Sequence, residues 1–236
     1  MNSIHPYQIY SLGDHALTIE LNNNISEKIN QQILSLHYFL LQQTIIGIKD
    51  IIPAYSSLTV VYDVSAIKEK NAVAYTFIKQ QIEQAIKDHQ PNYTTSRLIE
   101  IPVCYDLSFG IDLEEMAAQK NMSTQEIIQL HSNKIYRVYM IGFLPGFAYM
   151  GLVHKKIITP RKAQPRTKII AGSVGIAGEQ TGIYPFDSPG GWNIIGQTPL
   201  QLFNAKRKEP VLLQAGDSIQ FLPIGVDEFY QIKNQQ

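Results

Sequence analysis

Apolar and polar positions change their period several times along the N-terminal part of the chain. HALTIEL, residues 15–21, alternates in the manner of a strand buried on one face. After Asn22, Asn23 and Asn24, which suit a turn, Ile29, Ile33, Leu36 and Leu40 recur at helical spacing and predict an amphipathic helix. SLTVVYD (57–63) returns to a strand pattern, and Ala74, Phe77, Ile78, Ile82, Ala85 and Ile86 mark one side of a second helix. This order buries both helices on one face of a small sheet and predicts an α+β domain.

DHQPNYTTSR (88–97) is polar and carries Pro91, so it reads as a linker. The expected division is an α+β domain over 1–92 and a second domain over 93–236. The second part opens with LIEIPVCYD (98–106) and two short helices, whose starts are marked by Asp112 with Glu115 and Ser123 with Glu126 at capping-box spacing. Met122 is placed to staple onto Ile127, and the second helix ends near His131. KIYRVYMIGF (134–143) then alternates as a strand. Beyond it come short strand-like pieces between Gly, Pro, Asn and Asp: KIIAGSVGIAG, WNIIGQ, LQLFN, PVLLQAGDSIQFLP and EFYQI. That spacing predicts a closed or nearly closed, mainly β barrel with helices at its rim.

Composition narrows the function classes. Twenty Lys+Arg balance twenty Asp+Glu, which leaves no overall field to attract nucleic acid or an anionic membrane. The single cysteine, Cys104, cannot form an internal disulfide, and MNSIHPYQIY lacks the basic and apolar regions of a signal peptide. A cytoplasmic location is expected. The longest apolar region, Val138 to Val153, is broken by Gly142, Pro145, Gly146 and Gly151, so no transmembrane helix is expected.

Several chemistries lack their signatures. There is no GxxxxGK[ST] loop and no GxSxG elbow, and GSVGIAG (172–178) has no helix-forming sequence after it to receive a phosphate. Its plainer reading is glycine relieving crowding where barrel strands turn. The six histidines form no metal-binding cluster, so no tightly bound metal is expected; Mg2+ carried in by a nucleotide is a separate matter. Cys104, in a strand-like run, reads as a buried and inert thiol.

What stands out is IGFLPGFAYMG (141–151), TPRKAQPRTK (159–168) and AGSVGIAGEQTGIYPFDSPGGWNIIGQTP (171–199). Proline fixes φ and glycine permits shapes closed to other residues, so these stretches predict rigid irregular loops that shape a surface. Phe143, Phe147, Tyr149, Tyr184, Phe186 and Trp192, with Arg161, Arg166 and Lys168, would line a concave, aromatic, cationic pocket. Glycine beside an aromatic ring lets a flat ligand approach the ring, and the two Pro-Arg pairs would present guanidinium forks to a carboxylate or phosphate. Plainer readings stand beside these. Trp192 suits a core or rim position and the arginines suit solvent. His131 suits the negative end of its helix, Asp14 and His15 suit a turn before a strand, and Ser173, Gln180 and Ser188 suit loop backbone.

The stretch HSNKIYRVYMIGFLPGFAYMG…TPRKAQPRTKIIAGSVGIAGEQTGIYPFDSPGGWNIIGQTP strongly resembles the KipI, or allophanate hydrolase subunit 1, family, and within it the PxpB-like subunits of 5-oxoprolinase. GDHAL and IIPAYSSLTVVYD (51–63) fit the same family, so the resemblance covers nearly the whole chain. One glycine in MGLVHKK where two are usual, and Ile169-Ile170 in place of valine and proline, are departures in loop shape. The resemblance implies an α+β domain followed by a cyclophilin-like barrel. It implies a subunit, inactive alone, that works with PxpC-like (allophanate hydrolase subunit 2) and PxpA-like (LamB/YcsF) partners. Together these open 5-oxo-L-proline to L-glutamate with hydrolysis of ATP, bound by the complex with Mg2+. On this reading Arg161, Arg166 and Lys168 handle anionic charge and His131 carries a proton. Phe143, Phe147, Tyr184 and Trp192 form the pocket wall, and Ser173, Gln180 and Ser188 make polar contacts. The same family implies an alternative without catalysis, a KipI-like inhibitor that binds a sensor histidine kinase.

Overall fold

The computed structural model describes residues 6–21, 24–68, 73–91 and 96–235. Asn22 and Asn23 of the expected turn, the start 1–5 and the centre of the expected linker, 92–95, lie outside the described residues. The chain folds as two units, Met1–Thr95 and Ser96–Gln236, each packed around its own core.

The first unit carries β1 (Gln8–Ser11), β2 (Ala16–Glu20), α1 (Glu27–Leu41), β3 (Ile48–Pro53), β4 (Ser57–Tyr62), α2 (Val64–Lys68) and α3 (Ala74–Asp88). Its four strands form an antiparallel sheet in the order β1-β2-β4-β3. Alternation sends Leu17 and Ile19 of β2 and Leu58, Val60 and Tyr62 of β4 to one face. There they join Ile29, Ile33, Leu36 and Leu40 of α1 and Ile78, Ile82, Ala85 and Ile86 of α3 in one core. Both edge strands escape the periodicity reading. β1 is largely exposed, and β3 carries a bulge between Ile48 and Asp50 and ends at Pro53, as an edge strand tolerates.

The second unit holds β5 (Leu98–Cys104), α4 (Leu113–Lys120), α5 (Thr124–Ser132), β6 (Ile135–Ile141), β7 (Ala148–Gly151), β8 (Arg166–Ile169), β9 (Ser173–Ala177), β10 (Gln180–Ile183), β11 (Ser188–Gly190), β12 (Asn193–Gln197), β13 (Ser218–Ile224) and α6 (Val226–Lys233). Seven strands close into a barrel in the order β10-β7-β6-β13-β5-β12-β9, while β8 and β11 pair as a separate ribbon. β13 and β5 run parallel, in contrast to the antiparallel pairs around them. Every second residue points inward, so Ile101 and Val103, Tyr136 and Val138, Ala148 and Met150, Val174 and Ile176, and Ile219 and Phe221 fill the interior.

Two sequence expectations are corrected here. EFYQI is helical, part of α6, because Val226 and Phe229 fall on one helical face and Phe229 buries against Phe109 with ring centroids 4.5 Å apart. LQLFN and PVLLQ form no strand and meet through a bridge between Phe203 and Val211. Among the described residues no helix is long and apolar enough to cross a membrane.

Candidate functional site

The barrel has a second, outward-facing apolar cluster of Phe147, Ile169, Ala177, Tyr184, Trp192 and Ile194, packed apart from the interior. Register explains it. Tyr149 of β7 pairs with Gly182 of β10, Gly182 pairs with Gly175 of β9, and Gly175 pairs with Ile194 of β12. Their chain neighbours Ala148, Ile183, Val174 and Ile195 belong to the interior, so this row lies on the outer face. Two adjoining glycines in the row leave a floor without side chains, and Trp192 covers it. A Cβ at Gly182 would lie 3.0 Å from Trp192 Cζ3 and 3.1 Å from Phe147 Cζ; one at Gly175 would lie 3.1 Å from Trp192 Cβ. This close approach is what the glycines of GSVGIAG and the QTGI strand permit.

Above the floor the rings meet edge to face, except for the tilted pair of Phe147 and Tyr149. Phe147 is the hub, with centroids 5.4 Å from Trp192, 5.2 Å from Tyr184, 4.8 Å from Tyr149 and 5.7 Å from Phe143. Phe143 sits in the turn between β6 and β7 at φ 68°, a left-handed backbone costly for a large side chain, and stays 63% exposed. That turn is closed by the bond from Gly142 N–H to Phe147 O. Trp192, by contrast, is only 4% exposed.

These rings wall a concavity of about 440 Å³ with Arg161, Ser188, Leu144, Pro165 and the backbone from Pro189 to Gly191. Ser188, on β11, is 9% exposed, yet its hydroxyl has no hydrogen-bond partner among the described residues. Burial pushes the phenol of Tyr184 up to about 12 and raises that of Tyr149, so both remain neutral at physiological pH.

The cations divide sharply. Arg166, which begins β8, grips Asp112 through both terminal guanidinium nitrogens, with Nη1 2.9 Å from Oδ2. Lys162 Nζ lies 2.9 Å from Asp112 Oδ1 and 2.8 Å from Glu115 Oε2. Burial pushes the pKa of Asp112 up, but hydrogen bonds from Arg166, the Ile194 N–H at 2.7 Å and Lys162 outweigh it and hold the carboxyl below its ordinary value. Lys168 pairs at the surface with Asp187 at 2.9 Å. Arg161 alone of these cations lines the concavity, exposed and without a carboxylate partner among the described residues. Its backbone is nevertheless pinned on both sides, by Asn193 Nδ2 on Pro160 O at 2.9 Å and by the bond from Lys162 N–H to Gly191 O at 2.8 Å.

Of the residues expected to act together, the structure gathers Phe143, Phe147, Tyr149, Tyr184, Ser188, Trp192 and Arg161, and not the others. Arg166 is held by Asp112 and Lys168 by Asp187. Ser173 and Gln180 open β9 and β10 outside the lining, and Phe186 packs on Phe203 at 5.4 Å. His131, expected as a proton carrier, lies apart from this lining, inside the barrel at 0% exposure and stacked on Phe221 at 4.6 Å. The Thr181 hydroxyl donates to Gly175 O at 3.0 Å, so it accepts from His131 Nε2–H at 2.9 Å; His131 Nδ1 in turn accepts from the Tyr105 hydroxyl at 2.8 Å. Burial pushes this imidazole down to about 3, and it stays neutral with both nitrogens satisfied. Asp112 is the residue that sequence reasoning misplaced. It makes no side-chain cap on α4, whereas the Ser123–Glu126 box forms, with Glu126 N–H on Ser123 Oγ at 3.2 Å and Ser123 N–H on Glu126 Oε2 at 2.7 Å.

Residues 7–213 match the family described as carboxyltransferase domain, subdomain C and D. The chain is 41% identical over 234 residues to the B subunit of 5-oxoprolinase from Bacillus subtilis (strain 168), covering 97% of this chain and 98% of the relative. It is 36% identical over 214 residues to the B subunit of 5-oxoprolinase from Escherichia coli O157:H7, covering 91% and 94%. Among solved structures, the protein TTHA0988 superposes with a TM-score of 0.77 at 34% identity, covering 89% of this chain. The chain spans only 40% of that longer protein.

Proposed function

Because the chain belongs to the family of carboxyltransferase domains, subdomain C and D, together with the B subunits of 5-oxoprolinase, we propose that it is a subunit of an ATP-dependent complex opening 5-oxo-L-proline to L-glutamate. The observation that carries this reading is the outer-face concavity, in which flat aromatic walls meet a single free guanidinium. A five-membered lactam acid has the matching parts, a flat ring for the walls and a carboxylate for Arg161. Phe143, exposed in its turn, covers the ring edge and limits access of water to the bound lactam.

The residues present do not suit a nucleotide triphosphate. Among the described residues no group of three His, Cys, Asp or Glu side chains could hold a metal, and the concavity offers one uncompensated cation. In this reading ATP and its Mg2+ belong to a partner subunit, with PxpA-like and PxpC-like chains completing the enzyme. This chain binds and orients the lactam acid, and Tyr149 and Tyr184, kept neutral by burial, add no competing negative charge.

The test is reconstitution. This chain mixed with the two partners is expected to release glutamate from 5-oxoproline in an ATP-dependent manner, and omission of any one chain is expected to abolish release. No release from the complete mixture would contradict the proposal.

A further inference from the structure

Arg161 stands in a segment with little of its own to hold it. Residues 161–165 form neither helix nor strand, and nothing from Arg161 to Arg166 is buried. Burial raises the pKa of the Tyr149 and Tyr184 phenols, and the charge of Arg161 pulls against it, so the guanidinium nevertheless stands near both rings. Something other than apolar burial fixes this loop. Its two half-buried residues, Lys162 and Arg166, converge on the carboxylate of Asp112, which is only 2% exposed. That carboxylate is in turn fastened to the barrel. Ile194 N–H donates to Asp112 Oδ2 at 2.7 Å, and Asp112 N–H donates to Ile194 O at 2.9 Å, a reciprocal pair with β12 two residues beyond Trp192. Arg166 also pairs with Gly190 of β11, which lines the concavity, so the same carboxylate holds the rim.

We propose that Asp112 is the positioning residue of the ligand site: it ties the loop that carries Arg161 to β12 and so presets the direction of the guanidinium before a ligand arrives. This rests on the reading of the concavity as the ligand site, and adds what holds its cation in place. Taking a carboxylate and two cations out of water yields little net stability compared with apolar packing. What the cluster supplies is geometry, because a planar fork on two carboxylate oxygens and a further bond from the backbone leave one orientation. Glu115 is no substitute, since it is exposed and reaches Lys162 alone of these two cations. A loop ordered in advance loses little conformational freedom when a carboxylate binds, whereas a mobile one must be ordered by the ligand and binds it more weakly.

The test uses the full-length chain and two readouts, with thermal denaturation showing that each variant is folded at the working temperature. The first is 15N relaxation of the Arg161 backbone amide without ligand. Its order parameter is expected near about 0.85 in the unaltered chain and below about 0.6 in Asp112→Asn. The second is the dissociation constant of 5-oxo-L-proline, read from the fluorescence of Trp192, the sole tryptophan, in the pocket wall. Asp112→Asn is expected to weaken binding about tenfold, but by less than about twofold when Arg161 is already alanine, because nothing is then left to position. Asp187→Asn, which releases Lys168 instead, is expected to change neither readout. If Asp112→Asn does not fold, Lys162→Ala, which cuts one tie and leaves the Arg166 fork, is expected to show the same pattern with smaller effects. An Arg161 amide as ordered in the variant as in the unaltered chain, or equal weakening with and without Arg161, would overturn the positioning role and leave the ligand site standing. Binding undiminished in Arg161→Ala, or no binding of 5-oxoproline by the unaltered chain, would overturn the ligand-site reading and this inference with it.

Discussion

Burial gives His131 and Arg161 opposite characters although both are basic residues of the same unit. His131 has each ring nitrogen committed, to Tyr105 and Thr181, and is held neutral by the barrel interior. Its folded pKa of about 3 lies below the unfolded value of 6.5, so between these pH values the unfolded chain binds a proton that the folded one refuses. The stability at stake is therefore fully present above pH 6.5 and declines as the pH falls toward 3, by about 1.4 kcal/mol per pH unit. Urea unfolding followed by Trp192 fluorescence should show the barrel losing about 2 kcal/mol from this group between pH 6.5 and 5, a loss absent in His131→Gln. Equal pH dependence in the two proteins would contradict the neutral-histidine assignment. Nothing in the sequence distinguishes this role, because a helix-terminal histidine facing solvent and one turned into a barrel read alike. The same limit hides Asp112, whose partners Arg166 and Ile194 stand 54 and 82 positions away in the chain. Its spacing to Glu115 offered a local cap, and long-range ion pairing took the carboxylate instead.

At the level of elements, the glycine pair of β9 and β10 decides where the aromatic floor lies. Gly175 and Gly182 are cross-strand partners, and only residues without side chains let the indole rest on the barrel wall. Gly182→Val should force Trp192 and Phe147 off the floor, lower stability by about 1–3 kcal/mol and shift the tryptophan emission, as in overpacked cores generally. Unchanged emission and melting temperature would show that the floor is not needed. The density of glycine, proline and aromatic residues between Gly142 and Pro199 was legible in the sequence, because rigid loops need those residue types. The register that brings Tyr149, Gly182, Gly175 and Ile194 into one row was not, since it depends on strand pairing across the barrel. EFYQI misled for a related reason. A five-residue window fits either period, and the burial of Phe229 against Phe109 chooses the helix.

Across the whole molecule, two compact units, a four-stranded sheet with its helices and a seven-stranded barrel, follow from periodic segments that the sequence displays. The edge strands β1 and β3 and the β8–β11 ribbon are too short or too irregular to announce themselves. The functional reading rests on the outer face of the barrel, where one cation of several is left free, and catalysis by the assembled enzyme is the level at which that choice matters. The most direct measurement is kcat/KM for 5-oxoproline in the reconstituted complex, comparing Arg161→Ala with Lys168→Ala. Loss of a charge-assisted hydrogen bond at Arg161 is expected to lower it about 10- to 100-fold, with Lys168→Ala close to the unaltered protein. Equal activity in both variants, or a larger loss for Lys168→Ala, would contradict the assignment of the outer-face concavity as the ligand site.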